Sequence, residues 1–235
     1  MNILDKNFMN IEDKLKSLIK SSNNNYEIEF KYFRDYEELD IIMYGKLLKF
    51  LSSYSNKYNY ELIDEISLDI IYNYENKNAY RISIIGINNI NKIINDLINY
   101  DNSEIFKKIL KSDDKSIIII NKIKYPNEYI VDEEYDYFIK SANELTLNQK
   151  NINNILDSDI SDKNIIFRYK ERLKVKVLNN DDLSINIDLT SSKTSNNINK
   201  IFNMDYKYEL ELDMTIIKSK IDYNKYANML FKINV

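Results

Sequence analysis

Two acidic segments lie far apart in the chain. In YEIEFKYF, Glu27 and Glu29 alternate with Ile28 and Phe30; in YKYELELDM, Glu209, Glu211 and Asp213 alternate with Leu210 and Leu212. A period of two places the acids on one face of a β-strand and the apolar side chains on the other. Such acids either face water or face each other. In the second case they supply oxygen ligands of the kind that hold a hard cation such as Mg²⁺ or Mn²⁺.

Other segments carry the opposite charge with the same period. In FRYKERLKVKV, Arg168, Lys170, Arg172, Lys174 and Lys176 share a face, and Phe167, Tyr169, Leu173 and Val175 share the other, with Glu171 the exception. Asp188 and Thr190 lie opposite Ile185, Ile187 and Leu189, Arg81 lies opposite Tyr80 and Ile82, and Lys122 and Lys124 lie opposite Ile123. An open antiparallel sheet with its charged face in water accounts for this pattern. So does a closed barrel whose apolar faces point outward onto helices and whose charged faces line a hydrated interior. Burial of that many charges demands that acids, bases and a bound ion or anion occur together.

What is missing narrows the chemistry. The 235 residues include no Cys and no His, which removes disulfides, Cys/His zinc sites, Ser-His-Asp triads, cysteine phosphatases and phosphohistidine mechanisms. With Gly45 and Gly86 as the only glycines, neither a P-loop nor a G-x-G-x-x-G turn can form. Apolar residues at 44% and charged residues at 30% fit a folded, soluble protein of one domain. The opening MNILDKNFMN has no signal-peptide character, no stretch reaches the length of a membrane span, and an intracellular protein is expected. A net charge of −4 gives no reason for broad nucleic-acid binding, so phosphate recognition must be local.

The elements that must position these residues follow from periodicity. Helices are predicted over 9–20, 35–54, 90–100 and 103–111, with a closing helix within KIDYNKYANMLFKI. Strands are predicted near 26–33, 60–74 and 78–87, the last two joined by a turn at ENKN. From residue 115 the chain turns to β, through SIIIINKIKYP, YDYFIKSANELTL, FRYKERLKVKV, LSINIDLTSS and YKYELELDM, with NQKNINNILDSDISD as a loop or short helix. Many strands with a few helices make an α+β protein.

Together, EIEFK (27–31), FRYKER (167–172), IDLTSSK (187–193) and YELELD (208–213) resemble, in order and spacing, the triphosphate tunnel metalloenzymes. The branch they resemble is the yeast-type, metal-dependent RNA triphosphatases of mRNA capping. The short chain and its A/T-driven richness in Asn, Ile, Lys and Tyr look like a giant-virus version, which places it in the cytoplasm, in a viral factory or virion. The resemblance implies a closed antiparallel eight-stranded β-barrel with a charged interior and helices outside, formed by a single domain over 1–235 that is the N-terminal part of a larger capping enzyme. It implies that Glu27, Glu29, Glu209 and Glu211 bind Mg²⁺ or Mn²⁺, and that Arg81, Arg168, Lys170 and Arg172 contact the triphosphate. It further implies a water-positioning role for Glu144, a phosphate contact from Lys122 or Lys124, and a supporting role for Asp188 and Thr190.

The expected reaction is hydrolysis of the γ-phosphate of 5′-triphosphate RNA to a diphosphate end, with nucleoside triphosphates as side substrates. Guanylyltransferase and methyltransferase domains are the expected partners, in the same chain or complex. The competing readings are another triphosphatase of the superfamily, acting on tripolyphosphate or thiamine triphosphate, and a non-catalytic module that binds polyphosphate or RNA ends.

Overall fold

In a computed structural model, the residues described are 26–32, 39–75, 78–124, 130–132, 137–147, 149–181 and 183–216. The helices expected over 9–20 and after residue 217 lie outside them.

Nine strands form one sheet: β1 (Tyr26–Tyr32), β2 (Glu61–Glu75), β3 (Asn78–Ile85), β4 (Ile117–Lys124), β5 (Ile130–Asp132), β6 (Tyr137–Thr146), β7 (Ile165–Asn179), β8 (Leu183–Ser195) and β9 (Lys207–Ile216). Every pairing is antiparallel, in the order β1-β9-β8-β7-β2-β3-β4-β6, and β1 pairs β6 to close the circle. The result is an eight-stranded barrel, to which β5 adds a short extension along β6. β5, three residues long, carries no sequence signal of its own and was not expected. The β2–β3 turn lies where ENKN placed it, with Glu75 opposite Asn78.

Strand parity decides what lies inside. On β2, Leu68, Ile70 and Tyr72 point outward into the core, and so do Ile82 and Ile84 on β3 and Ile165, Phe167 and Tyr169 on β7. They pack against helices α2 (Ile87–Leu97), α3 (Asn102–Leu110) and α4 (Gln149–Leu156) through Ile90, Ile94, Ile105, Phe106, Ile109, Ile152 and Ile155. Helix α1 (Ile41–Tyr58) covers a second apolar patch, laying Leu51 near Leu173, Val175 and Leu189. The hydrophobic cores therefore lie outside the barrel, between strands and helices. The alternate residues of each strand are left to line its interior.

Local signals set the helix ends. The Asp40 side chain accepts from the Met43 N–H at 2.7 Å and starts α1 six residues later than the sequence pattern suggests. Asn59, in the left-handed conformation at φ 55°, ends it. Gly86, at φ 90°, turns the chain from β3 into α2, a conformation that a side chain would strain. Among the described residues no helix is long and apolar enough to cross a membrane.

Candidate functional site

The interior of the barrel holds a cavity of about 400 Å³ lined by side chains from β1, β2, β3, β4, β6, β7 and β9. Its walls differ in sign. β1 and β9 supply Glu27, Glu29, Glu211 and Asp213, while β7 supplies Arg168, Lys170 and Arg172, joined by Arg81 from β3 and Lys122 from β4. The alternation seen in the sequence therefore places both charged sets on the inside.

The acids fall into two groups, each organised by a lysine. Lys122 Nζ lies 2.5 Å from Glu27, 2.9 Å from Glu29 and 3.0 Å from Glu144. Lys31 donates to Glu209 and lies 3.6 Å from Glu211. Arg168 also pairs with Glu209. Burial pushes the Glu27 carboxyl up, against the pull of Lys122 and helped by Glu29, to about 7. Burial works against the Lys122 ammonium, but Glu29, Glu27 and Glu144 outweigh it and hold the proton more firmly than on a free lysine.

Across the cavity, the basic residues are held by acids in turn. Lys170 pairs with Asp69 at 2.6 Å, and Ser83 Oγ donates to the same carboxylate at 2.7 Å. Burial lowers Lys170 to about 8 despite Asp69. Burial would raise Asp69, but Lys170 and Arg81 overcome it and bring it to about 2. Arg172 Nη1 lies 3.1 Å from Asp188, which is wholly buried, and its Nε donates to Thr190 Oγ1 at 3.3 Å. Arg81 pairs with Glu144 at 3.1 Å. Burial raises the Glu144 carboxyl, yet Arg81 and Lys122 outweigh it, so the group ionises more readily than usual.

The sequence-predicted residues are brought together: Glu209 binds Lys31 and Arg168, both of which line the cavity, and Asp213, directly opposite Glu29 in the sheet, lines it as well. Burial, then Asp188, Glu29, Glu211 and Glu27, raise the Asp213 carboxyl well above its usual range. The Lys122 side chain enters the site; that of Lys124 lies outside what is described. Asp69, Glu65 and Ser83 line the cavity without having been singled out in the sequence. Asp69 had a signal: it is the one acid within the apolar run SLDII, on the same parity as Glu65.

Carboxylate, ammonium and guanidinium groups interleave around this cavity, a lining whose chemistry suits a polyanion and a hard cation together. The donor set has the required chemistry, with four carboxylates on two adjacent strands and Asp213 Oδ1 buried without a hydrogen-bond partner. Among the described residues no three carboxylates converge as a ready-made cage. The Lys122 and Lys31 ammonium groups occupy the positions between the acids.

No family model matches the chain. A probable mRNA-capping enzyme of Acanthamoeba polyphaga mimivirus is 24% identical over 231 residues, covering 97% of this chain; the chain spans 18% of that relative's length. Among solved structures, the RNA triphosphatase domain of the trifunctional mimivirus mRNA capping enzyme is similar with a TM-score of 0.72 and 24% identity, over 97% of this chain and 95% of that one. The Pct1 RNA triphosphatase of S. pombe is similar with a TM-score of 0.55 and 13% identity, over 100% of this chain and 88% of that one. The chain shares their fold, and its own is the closed eight-stranded antiparallel barrel that the four sequence segments implied.

Proposed function

We propose that this chain hydrolyses the γ-phosphate of 5′-triphosphate RNA in a metal-dependent reaction, leaving a 5′-diphosphate end as the first step of mRNA capping. The observation that carries this reading is the cavity enclosed by the barrel, with acids on β1 and β9 facing bases on β7. The named activities of the mimivirus and S. pombe proteins with this fold support it. The match to a small part of a capping enzyme supports partner domains for guanylyl and methyl transfer.

Each group in the site has a task. Arg168, Lys170 and Arg172 lie on alternate positions of one strand, so a run of phosphates along β7 meets a cation at each step. Arg172, oriented by Asp188 and Thr190, presents its planar fork to phosphate oxygens, and Lys170 acts as a point charge fixed by Asp69. Arg81 joins them where charge builds on the γ-phosphoryl oxygens. Glu144, ionised and clamped by Arg81 and Lys122, is suited to orient an attacking water through a hydrogen bond. Its lowered pKa keeps it ionised, so it accepts from the water and is a weak base.

Glu27, Glu29, Glu211 and Asp213 would hold Mg²⁺ or Mn²⁺, with Glu209 at the edge of the set. That cation would supply charge neutralisation for the terminal phosphates. Lys122, beside Glu27, Glu29 and Glu144, and Lys31, beside Glu209 and Glu211, would add ammonium charge next to the phosphates. Water adds to the γ-phosphorus, the bond to the β-phosphate bridging oxygen breaks, and orthophosphate leaves a diphosphate end. No covalent enzyme intermediate is needed.

Incubation of γ-labelled and α-labelled triphosphate RNA with Mg²⁺ or Mn²⁺ tests the reading. Labelled orthophosphate and a diphosphate end are expected. Pyrophosphate with a monophosphate end, or no release at all, would overturn it.

A further inference from the structure

Helix α1 presents an outer face that neither the apolar core nor the tunnel uses. Lys46, Lys49, Phe50 and Lys57 are exposed on it, Phe50 by 59%. At 100° per residue, Lys46, Phe50 and Lys57 fall within a narrow sector opposite the buried Leu51 and Ser55, while Tyr58, 48% exposed, lies about 80° round from Phe50 toward the side of Leu51. Between Ile41 and Tyr58 the lysines are Lys46, Lys49 and Lys57, and there is no acid, in a chain whose net charge is −4.

The aromatic rings form a continuous row. Phe50 stacks on Tyr54 with centroids 5.7 Å apart, Tyr54 meets Tyr58 at 4.7 Å, and Tyr58 stacks on Tyr60 at 5.8 Å. Lys57 lies over the Tyr58 ring at 5.1 Å. The row ends beside a strand of the barrel. Tyr60 adjoins Glu61, the first residue of β2, which pairs with Lys176 near the end of β7. Glu65, four residues further along β2, lines the cavity, and so does Ile118 of β4, 51% exposed, where the cavity meets solvent.

A row of rings exposed at Phe50 and Tyr58, with Lys46 and Lys49 on the face that carries Phe50 and Lys57 over Tyr58, has the two features that single-stranded nucleic acid requires: flat surfaces for bases and cations for the backbone. We infer that this face of α1 binds the single-stranded RNA that trails from the triphosphate end held in the tunnel. Phe50 and Tyr58 stack on bases, and Lys46, Lys49 and Lys57 neutralise phosphates. The inference deepens the triphosphatase reading above and rests on it. It makes the recognition of RNA two-part, with the tunnel reading the phosphate chain and α1 reading single-strandedness without base identity.

Two measurements separate the inference from the reading on which it rests. The first is fluorescence anisotropy of a labelled single-stranded RNA with a 5′-hydroxyl, added to the wild-type chain, to a Phe50→Ala/Tyr58→Ala variant and to a Lys46→Glu/Lys49→Glu/Lys57→Glu variant. Wild type should bind, and each variant should bind at least tenfold more weakly. The lysine variant should also flatten the dependence of log K on log salt by about 2, from about 0.7 per phosphate contact. The second is hydrolysis of triphosphate RNA beside that of ATP. The variants should raise KM for RNA about tenfold and leave ATP hydrolysis unchanged. Equal RNA affinity in wild type and both variants overturns the inference and leaves the face to a protein partner, whatever hydrolysis shows. Failure of wild type to release phosphate from triphosphate RNA overturns the triphosphatase reading instead, whatever anisotropy shows.

Discussion

Lys170 and Asp69 face each other from neighbouring strands at 2.6 Å, and both are almost fully buried. The pair fixes the central cation of the basic wall, and it sets that cation's titration. Burial has lowered Lys170 to about 8, and Asp69 is what keeps it from falling further. The phosphate-binding form is the protonated one, so kcat/KM should fall as pH rises through about 8. Asp69→Asn removes an influence that raises the lysine, and the alkaline fall should then begin at lower pH. A pH profile of kcat/KM on ATP checks this. An unmoved alkaline limb in the variant would mean that Lys170 does not control it.

The same pair shapes acid stability. The folded Asp69 titrates at about 2, below the ordinary value of 3.8. Between those values the unfolded chain binds more protons than the folded one, so stability rises with pH there and is lost as pH falls through the window. The shift corresponds to about 2 kcal/mol, present in full above about pH 5. Urea unfolding at pH 5 and at pH 2.5 should show a drop that Asp69→Asn lacks.

Parity made the two faces of each strand legible, and the resemblance of the four segments, not parity, pointed to a closed barrel over an open sheet. Each strand with one apolar and one charged face in the sequence has that charged face inside the barrel, and Ile28, Phe30, Ile82 and Leu189 are buried on the outside. What periodicity could not supply is which charges meet. Asp69 escaped notice because a single acid in an apolar run lacks a pattern, and its partner lies about a hundred residues away. Nor could it supply register, which sets Asp213 across from Glu29 and Thr190 across from Glu209. Register depends on closure between β1, β6 and β9, a long-range property.

That register predicts an order among the acids. Metal should raise the melting temperature of the wild-type chain, as any ligand selective for the native state does. Glu27→Gln, Glu29→Gln or Asp213→Asn should each reduce the rise strongly and lower turnover by orders of magnitude. Glu209→Gln should reduce the thermal shift least, since its carboxylate serves Lys31 and Arg168 at the edge of the cavity. Thermal shift with Mn²⁺ across the four variants decides it. A larger loss in Glu209→Gln than in Asp213→Asn would restore the assignment drawn from the sequence motif.

Arg172 offers the sharpest test of the basic wall, because its fork is held from two sides. Asp188 is wholly buried beneath its Nη1, and Thr190 accepts from Nε, so the plane of the guanidinium is set before any phosphate arrives. Arg172→Lys keeps the charge and loses both the plane and the bidentate grip, so it should lower kcat on ATP by about tenfold or more. Asp188→Asn keeps the shape and leaves Arg172 with less compensation, which should destabilise the fold by about 3 kcal/mol, the range for breaking a buried pair. Thr190→Val removes one neutral hydrogen bond and should cost about 1 kcal/mol. Because Asp188 and Thr190 act on the same group, their effects on kcat should not add. A double-mutant cycle measured on kcat and on urea unfolding tests this. Full additivity on kcat would mean that the two residues do not act through Arg172, and near-wild-type turnover in Arg172→Lys would place the phosphate grip elsewhere on β7.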